Sequence, residues 1–429
     1  MSKRCFRFLG VMAAMTGCAL GVGSADAQLG GALPSLPSLP GGLPSTIRPM
    51  VEGVVDPIRN GVEGTARAAA NRLDDLRRAA YAQLVRDHPD AIALDPNGFP
   101  ARAGEVVVDA PSDALLAAVA AQGFVVIERD DVLGVSFARL RVPRGLPLKK
   151  ALDVIARLGG EVSADQLHLA SGTGTVTPMG ADGASVDGPA AMVGVIDGGV
   201  EGAALMRGFA TGAPRPDDHG TAVASLISGK GPVRGSLPGA RIASADVYGT
   251  DPAGGNATAI AKALGWLVEQ RVPVATISLV GPANPLLARV VAAAQARGLI
   301  IVAAVGNNGP ASPPAYPASY PGVVAVSGVD ARNRLLIEAG RASHIDYVAP
   351  GADMLAIGLG ARRMKVRGTS FAAPLVAGRI AAVYPALNPG QARAVLARID
   401  GEAKDLGARG HDKNFGRGMV CGECRTPAP

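Results

Sequence analysis

Short apolar runs alternate with helical stretches along the second half of the chain. Runs of this length, rich in Val, Ile and Ala, predict strands that are buried on both faces. They lie at residues 193–196, 241–247, 274–279, 299–305 and 323–326. Because helical stretches separate them, the pattern predicts a mostly parallel, doubly wound α/β sheet with helices on both faces. The carboxyl ends of such strands are where a site is expected.

Residues 104–171 have the pattern of a small α+β unit. Alternating apolar and polar positions indicate a strand pair, and caps together with helical spacing indicate two helices. The predicted elements are a strand at 106–108, a helix at 112–123, strands at 124–127 and 135–140, a helix at 147–159 and a strand at 161–169. Their order is βαββαβ.

Two segments precede that unit. Residues 50–90 are predicted to form an amphipathic helix, because apolar residues recur at spacings of three and four with charged residues between them. The apolar residues are Val62, Ala66, Ala69, Leu73, Leu76, Ala80 and Leu84. We expect this helix to pack on the neighbouring domain, and pairing with a partner helix is the alternative. Residues 28–49 repeat Leu-Pro-Ser and predict an extended Pro/Gly-rich linker.

Residues 1–27 have the features of a secretory signal peptide. Lysine and arginine lie near the start, an apolar stretch covers residues 8–22, and Ala25-Asp-Ala27 fits a small-x-small cleavage site. Cleavage is expected before Gln28, and a lipoprotein anchor at Cys18 is a minor alternative. No later apolar run approaches the ~18 residues that span a bilayer. We therefore expect a secreted or periplasmic protein of the cell envelope with no transmembrane span.

Composition narrows the classes of function. The chain has 429 residues and a formal charge of +6. Removing residues 1–27 takes away Lys3, Arg4, Arg7 and Asp26 and leaves +4. So small a charge, with only 3% aromatic residues, argues against binding to nucleic acid.

Cysteine usage fits an oxidising compartment. Of the 4 cysteines, Cys5 and Cys18 fall in the signal peptide. The other two, Cys421 and Cys424, predict a small structural disulfide at the start of a C-terminal tail, 421–429. A redox pair is the alternative, although no thioredoxin-like context surrounds it. A zinc site would need two more ligands, and His411 alone is not enough.

Three residues, each within two positions of a glycine, together have the chemistry of an activated serine. Asp197 ends an apolar run, His219 opens His-Gly-Thr, and Ser370 lies in Gly-Thr-Ser-Phe. A serine hydroxyl needs an adjacent base, which His219 would supply, while Asp197 would hold the imidazole in the right tautomer. Unrelated serine hydrolases differ in the chain order of these residues, so the order Asp, His, Ser is informative.

Asn307 is the candidate donor to the oxyanion that such chemistry forms. It lies in Val-Gly-Asn-Asn-Gly, and the backbone N–H of Ser370 is the candidate second donor. Taken singly, each of these residues would be a turn residue or a helix cap. Their common order is what supports a catalytic site.

These motifs resemble those of the subtilisin-like serine peptidases, the subtilases. The resemblance covers about residues 190–419, and it implies a catalytic domain at 190–420. It also implies a serine endopeptidase whose polypeptide substrates bind as an extended strand. The residues that would bind substrate are Ser278, Leu279, Val280 and Gly281, beside the catalytic Asp197, His219 and Ser370 and the oxyanion-hole residue Asn307.

The position of residues 104–171 resembles that of the subtilase pro-domain. In that family the pro-domain assists folding and its C-terminal tail lies in the substrate cleft, so here it would be an intramolecular inhibitor. A permanent accessory domain is the alternative. Residues 172–189, rich in Gly, Thr, Ser and Ala, are predicted to be an exposed linker. Self-cleavage is expected between His168 and Gly188.

Two positions depart from the family pattern. Gly198 stands where the family usually has Ser or Thr, so a hydroxyl next to Asp197 is missing. Val280 stands where the family usually has glycine, which predicts a narrowed pocket for the residue before the scissile bond. A basic run, 362–367, precedes Ser370; a solvated loop is expected, and binding of acidic substrates is the alternative.

No cofactor is predicted. Subtilases often bind calcium, but no carboxylate cluster stands out here, and Asp217-Asp218 is too short to count. Two other functions fit the same residues. One is a processing peptidase dedicated to an envelope partner, and the other is a binding protein that kept the cleft and lost turnover.

Overall fold

The computed structural model describes residues 63–170, 172–176 and 191–428. The predicted signal peptide, the Pro/Gly-rich linker and the beginning of segment 50–90 lie outside the described residues. So does most of the predicted linker 172–189.

A long helix and a small antiparallel sheet form the N-terminal part. The elements are α1 (Glu63–Asp87), β1 (Ile92–Leu94), β2 (Pro100–Asp109), α2 (Asp113–Ala121), β3 (Val125–Val132), β4 (Val135–Arg141), α3 (Leu148–Arg157) and β5 (Glu161–Gln166). Strand β2 pairs with β1, β4 and β5, and β3 pairs with β4. Ala101 of β2 pairs with both β1 and β5, so these two strands lie on opposite sides of it. The predicted order βαββαβ is present from β2 to β5, and β1 precedes it. We call β1 to β5 with α2 and α3 the N-terminal unit.

Short strands then connect this unit to a large parallel sheet. They are β6 (Leu169–Ala170) and β7 (Thr173–Val176), followed by the sheet strands β8 (Met192–Asp197), β9 (Leu205–Gly208), β10 (Arg241–Asp246) and β11 (Val274–Ile277). The remaining strands are β12 (Leu279–Val280), β13 (Ile300–Ala304), β14 (Val324–Val329), β15 (Tyr347–Pro350), β16 (Met354–Ile357) and β17 (Arg363–Arg367). The large sheet has the order β15-β14-β13-β11-β8-β10-β9, and every pair in it is parallel.

Helices cover both faces of the large sheet. They are α4 (Asp218–Ser228), α5 (Ala257–Glu269), α6 (Pro285–Ala296), α7 (Ala373–Val383) and α8 (Ala392–Glu402). Helices α4, α7 and α8 contribute to one apolar core, and α5 and α6 contribute to the other. The predicted doubly wound α/β fold is therefore confirmed. Among the described residues, no helix combines the length and apolar character that crossing a membrane requires.

Strand alternation divides the apolar side chains of the N-terminal unit between two layers. Val106 and Val108 join the core that the unit forms with its own helices α2 and α3. Val107, between them, joins the core that contains Trp266 of α5. The small sheet is thus packed between its own helices and those of the large sheet.

Two of the predicted strands divide near the site. The run 274–279 becomes β11 and β12, and the run 161–169 becomes β5 and, further on, β6. Strands β6 and β12 pair antiparallel with each other, in a ladder separate from those of β5 and β11. Strand β7 pairs with β17, which means that the predicted linker begins in a strand rather than in an exposed coil.

Buried polar contacts tie the N-terminal unit to the large sheet. Asp165, fully buried on β5, accepts hydrogen bonds from the backbone N–H of Thr258 at 3.0 Å and from its hydroxyl at 2.7 Å. Arg102 pairs with Asp251 at 2.6 Å, and Arg289 of α6 pairs with Asp109 at 2.7 Å. These contacts orient one sheet on the other, since each has its best geometry in only one docked position.

The C-terminal tail holds a disulfide between Cys421 and Cys424. Both cysteines are buried in the core that includes α4 and α7. Their sulfurs are bonded to each other, so the disulfide expected from the sequence is present.

Asp165→Ala should destabilise the intact chain. It leaves the N–H of Thr258 buried without its acceptor, while the hydroxyl keeps Oδ1 of Asn256 at 2.8 Å. The lost acceptor costs about 1–3 kcal/mol of unfolding free energy. Urea unfolding followed by circular dichroism measures this. Asp153→Ala, at an exposed position of α3 in the same unit, is the matched control and should stay within about 0.5 kcal/mol of wild type. Equal unfolding midpoints for the two variants would contradict the assignment.

Candidate active site

Asp197 lies at the carboxyl end of the central strand β8. Its carboxylate is buried, and its Oδ1 accepts hydrogen bonds from the N–H of Gly198 and from Nδ1 of His219, both at 2.8 Å. The same backbone position anchors the next strand, because the Asp197 carbonyl accepts from the N–H of Val247 at 3.0 Å. Asp197 is therefore held from both its side chain and its main chain.

His219 is the second residue of α4, where Asp217 caps the helix by accepting from the N–H of Gly220 at 2.7 Å. Its ring is buried and contacts the ring of Phe371 at a centroid distance of 5.5 Å. Burial lowers the pKa of His219, but the charge and hydrogen bond of Asp197, with a contribution from Asp217, outweigh burial and raise it overall. Within the described part of the chain, Nε2 has no hydrogen-bond partner, so this nitrogen is available to a reacting group.

Ser370 lies in a single turn of 3₁₀ helix, Thr369–Phe371, between β17 and α7. The helix α7 begins three residues later, at Ala373. Ser370 is completely buried, and its Oγ is 3.4 Å from the Ser278 carbonyl, to which it donates. In return the Ser278 hydroxyl donates to the Ser370 carbonyl at 2.9 Å. These two contacts tie the nucleophile candidate to the residue before β12.

Asn307 follows β13 and faces the same turn. Its Oδ1 accepts from the backbone N–H of Thr369 at 3.0 Å, which directs the amide nitrogen to the other side. That nitrogen lies over Gly368, where a Cβ would approach it to 2.9 Å. Gly368 has φ of 140°, a conformation that other residues rarely adopt, so both space and backbone require glycine here.

A segment of the chain itself passes through this cleft. Leu169 and Ala170 pair antiparallel with Val280 and Leu279 of β12. After Ser171, which lies outside the described residues, Gly172 continues over Gly368, and a Cβ on Gly368 would come within 2.9 Å of the Gly172 Cα. We call residues 167–170 and 172–176 the cleft segment.

Gly281 provides the space for one side chain of that segment. A Cβ on Gly281 would lie 2.6 Å from Cδ2 of His168, whose imidazole is fully buried. Burial lowers the pKa of His168 to about 4, against a smaller opposing effect of the Gln166 and Pro282 carbonyls. His168 is therefore a neutral ring near pH 7.

Val280 fills space next to Asn307. Its Cγ2 lies 2.9 Å from the place that a Cβ on Gly306 would take, and only 8% of Val280 is exposed. The branched side chain thus lies between the backbone of β12 and Gly306. This contact is what a narrowed pocket at this position would require.

The space at Gly198 is occupied by a carboxylate. A Cβ on Gly198 would come within 2.0 Å of Oδ2 of Asp217. Serine or threonine at this position would therefore displace Asp217. The contact between Gly198 and Asp217 was not predicted from the sequence. Burial and the charge of Asp197 raise the pKa of Asp217 to about 7. The signal in the sequence was the pair of an Asp two residues before the histidine and a Gly after Asp197.

The basic run before Ser370 is largely a strand and not a solvated loop. It includes β17, and carboxylates of the protein neutralise two of its cations. Arg362 binds both carboxylate oxygens of Asp218, at 2.8 and 2.9 Å, and Arg367 pairs with Glu338 at 2.7 Å. These two cations are therefore paired within the protein.

The site gives no sign of a carboxylate cluster for a cation. Among the described residues, the one group of three His, Cys, Asp or Glu side chains with metal-site spacing is Cys421, Glu423 and Cys424 at the C-terminal tail. Two of those three are already joined by the disulfide.

Comparisons with known proteins agree with this geometry. A profile of the subtilase family matches residues 188–418. Subtilisin BL of Lederbergia lenta is 33% identical over 226 residues, which are 51% of this chain and 82% of that protein. M-protease of Shouchella clausii strain KSM-K16 is 32% identical over 226 residues, which are 51% of this chain and 58% of that protein.

A solved structure shares the fold. Fervidolysin from Fervidobacterium pennivorans, a keratinolytic enzyme related to subtilisin, superposes with a TM-score of 0.62 at 21% identity. The superposition covers 76% of this chain and 61% of fervidolysin. The profile spans more than half of the chain and includes Asp197, His219, Asn307 and Ser370. The chain therefore belongs to the subtilase family of subtilisin-like serine peptidases.

Proposed function

We propose that this protein is an exported serine endopeptidase made as a precursor, with Asp197, His219 and Ser370 as its catalytic residues. The observation that carries the proposal is the cleft segment. An extended peptide pairs with β12 on one side of Ser370 and continues into β7 on the other. A peptidase substrate would need the same path, since an edge strand recognises peptides through main-chain hydrogen bonds.

The proposed chemistry follows from the positions of these groups. Nε2 of His219 takes the Ser370 proton as Oγ attacks the peptide carbonyl, and the same nitrogen returns a proton to the leaving amine. The buried Asp197 carboxylate, 2.8 Å from Nδ1, stabilises the imidazolium that forms between these steps. A serine and histidine that are not yet hydrogen-bonded to each other are common before substrate is reacting.

Asn307 and the Ser370 N–H are proposed to stabilise the oxyanion. The amide nitrogen of Asn307 lies over Gly368, on the side of the cleft segment and away from Thr369. One side-chain donor at such a place is worth about 2.7–4 kcal/mol of transition-state stabilisation, a value taken from subtilisin itself.

The N-terminal unit is proposed to be a pro-domain that inhibits the enzyme within the same chain. Its strand β5 leads directly into the cleft segment, which occupies the place of a substrate. Gly172 lies against Gly368 and Phe371, beside Ser370. The bond expected to be cut is therefore Ser171–Gly172, inside the range from His168 to Gly188. A permanent accessory domain would leave this bond intact.

Export is proposed from residues 1–27. A relative that matches 47% of this chain at 30% identity is called a minor extracellular protease of Bacillus subtilis, which supports the proposal. The cleavage site at Ala25-Asp-Ala27 predicts Gln28 as the first residue after export.

Ser370→Ala should abolish both self-cleavage and labelling. Secreted wild type is expected to yield a product that begins at Gly172 and reacts with a fluorophosphonate probe, because an activated serine attacks both. The variant should remain a precursor that begins at Gln28 and does not react. Mass analysis of both products measures this, and it also detects any lipid on Cys18. The same N-terminus in both proteins would rule out self-processing, and an unlabelled wild type would favour a binding protein without turnover.

Asp217→Asn should move the acidic limb of the pH profile to lower pH. His219 must be neutral to act as a base, and the charge of Asp217 contributes to its raised pKa. Asparagine keeps the helix cap but removes that charge, so His219 loses its proton at lower pH. The measurement is kcat/KM against pH for the processed enzyme.

Asp218→Asn is the matched control for that experiment. Asp218 is the neighbouring carboxylate, but it faces Arg362 and is not among the groups that shift the pKa of His219. Its acidic limb should coincide with that of wild type. A limb that moves equally in both variants, or to higher pH in Asp217→Asn, would contradict the assignment.

Val280→Gly should widen the pocket for the residue before the scissile bond. Removing the isopropyl group from the contact with Gly306 opens space for a larger side chain. The ratio of kcat/KM for Phe over Ala at that substrate position is expected to rise about tenfold or more. Because both substrates are tested on one enzyme, a change in stability cancels. Val280→Ala should give an intermediate ratio, and a ratio that stays constant through the series would refute the narrowed pocket.

A further inference from the structure

The cleft segment is held on two sides, and only one of them is a strand. In an extended chain, the N–H and C=O groups of successive residues point to opposite sides. Leu169 pairs with Val280 of β12, so its neighbours His168 and Ala170 direct their main-chain groups away from β12. On that second side the His168 N–H donates to the Gly255 carbonyl at 2.7 Å.

A tyrosine hydroxyl satisfies two more of the main-chain groups on the second side. Tyr248 donates through its hydroxyl to the His168 carbonyl at 2.7 Å. The same oxygen accepts from the Ala170 N–H at 2.9 Å. A hydroxyl has one donor and two acceptor sites, so a single group can bridge the two residues as a partner strand would. All of these contacts are to main-chain atoms.

Contacts outside the cleft segment hold the backbone at Tyr248. This residue follows β10, and its backbone N–H donates to Oδ1 of Asp246 at 2.9 Å, as does the N–H of Gly249. The other carboxylate oxygen of Asp246 accepts from the N–H of Arg215 at 2.7 Å. Because Asp246 is fully buried, these bonds hold the loop and aim the phenol at the cleft. Burial, with the nearby charge of Asp197, raises the pKa of Tyr248 well above its usual value, so the hydroxyl keeps its proton.

Glycine next to the ring leaves room for this arrangement. A Cβ on Gly255 would come within 2.5 Å of the His168 carbonyl oxygen and 2.6 Å of Cε1 of Tyr248. The phenol, Gly255 and the peptide backbone therefore fit only with glycine at this position.

We propose that the Tyr248 hydroxyl is a substrate-positioning group of the peptidase, binding the carbonyl of the fourth residue and the N–H of the second residue before the scissile bond. This rests on the proposed function, since it takes the cleft segment as the image of a bound substrate. The group recognises backbone and not side chains, so it acts on any extended peptide. It fixes the position of the second residue before the scissile bond. Through that residue it positions the first, whose carbonyl carbon Ser370 must attack.

The first experiment tests the contact without catalysis. Hydrogen exchange is measured by NMR on the intact Ser370→Ala precursor and on the Ser370→Ala/Tyr248→Phe precursor. Protection of the Ala170 amide should fall about tenfold or more when its acceptor is removed. The His168 amide, bonded to Gly255, should keep its protection. Unchanged exchange at Ala170 would overturn the contact.

The second experiment tests the role in turnover with a chemical double-mutant cycle. Processed wild type and Tyr248→Phe are each given a peptide and a matched depsipeptide, in which an ester oxygen replaces the N–H of the second residue before the scissile bond. Wild type should lose about tenfold in kcat/KM on the ester, whereas Tyr248→Phe should already be lower on the amide by about that factor and lose little more. Losses that simply multiply would show that the two groups do not interact and would overturn the proposal.

Tyr384→Phe is the matched control. Its hydroxyl also bridges two main-chain groups, donating to the Gly298 carbonyl at 2.8 Å and accepting from the Asn388 N–H at 2.6 Å, but within the fold. It should behave as wild type in the cycle even if it is less stable. If wild type cleaves neither substrate and the fluorophosphonate probe does not react, the proposed function fails, and the exchange experiment alone decides whether Tyr248 binds the cleft segment.

Discussion

Parallel strands all end at the same edge of their sheet, and the site depends on that constraint. Asp197 ends β8, Ser278 directly follows β11, and Asn307 follows β13. These three strands are neighbours in the sheet order, so residues up to 110 positions apart in sequence are brought to one edge by backbone pairing alone. The two remaining residues, His219 and Ser370, are far apart in the sequence. They lie on α4 and on the turn before α7, which both pack on the same face of the large sheet. The 2.8 Å bond from His219 to Asp197 then fixes how that face meets the edge.

The edge is completed by a piece of chain that does not belong to the sheet. The pairing of β6 with β12 makes the cleft segment an antiparallel partner of β12. The polar contacts of Asp165 and Arg102 hold the N-terminal unit close to α5, which keeps that partner in register. If the Ser171–Gly172 bond is cut, the same contacts remain, so the segment before the cut would stay bound as an inhibitor until the unit leaves. Release then depends on the whole interface and not on the cleft alone.

Two further buried or partly buried carboxylates, those of Asp217 and Asp246, hold backbone near Asp197. Asp217 occupies the space that a side chain on residue 198 would need, and Asp246 holds the loop that carries Tyr248. Each accepts backbone N–H bonds, which is how a buried acid is kept without a cationic partner. Because residue 198 is glycine, the carboxyl of Asp217, the N-cap of α4, can lie next to it. Burial, and after it the charge of Asp197, raise the pKa of Asp217, while the charges of Asp197 and Asp217 outweigh burial and raise the pKa of His219.

Local pattern carried much of this fold. The five apolar runs of the large sheet and the order βαββαβ of the N-terminal unit follow from periodicity and caps, because burial on one or both faces imposes its period on the sequence whatever the partner is. The motifs around Asp197, His219, Asn307 and Ser370 were visible for a similar reason: glycine is needed wherever backbone or peptide approaches closely, as at Gly368.

Pairings between distant segments were invisible in the sequence. Nothing in residues 169–170 or 279–280 alone indicates that they form a ladder. Likewise, the first residues of the linker predicted at 172–189 form the strand β7 because they pair with β17. The contact between Gly198 and Asp217 and the hydrogen bonds of Tyr248 to the cleft segment likewise depend on residues that are distant in sequence. A residue's own propensity and its neighbours in the chain set local structure, whereas which groups share a cavity or a hydrogen bond is set by the packing of the whole molecule, and only the tertiary structure contains that.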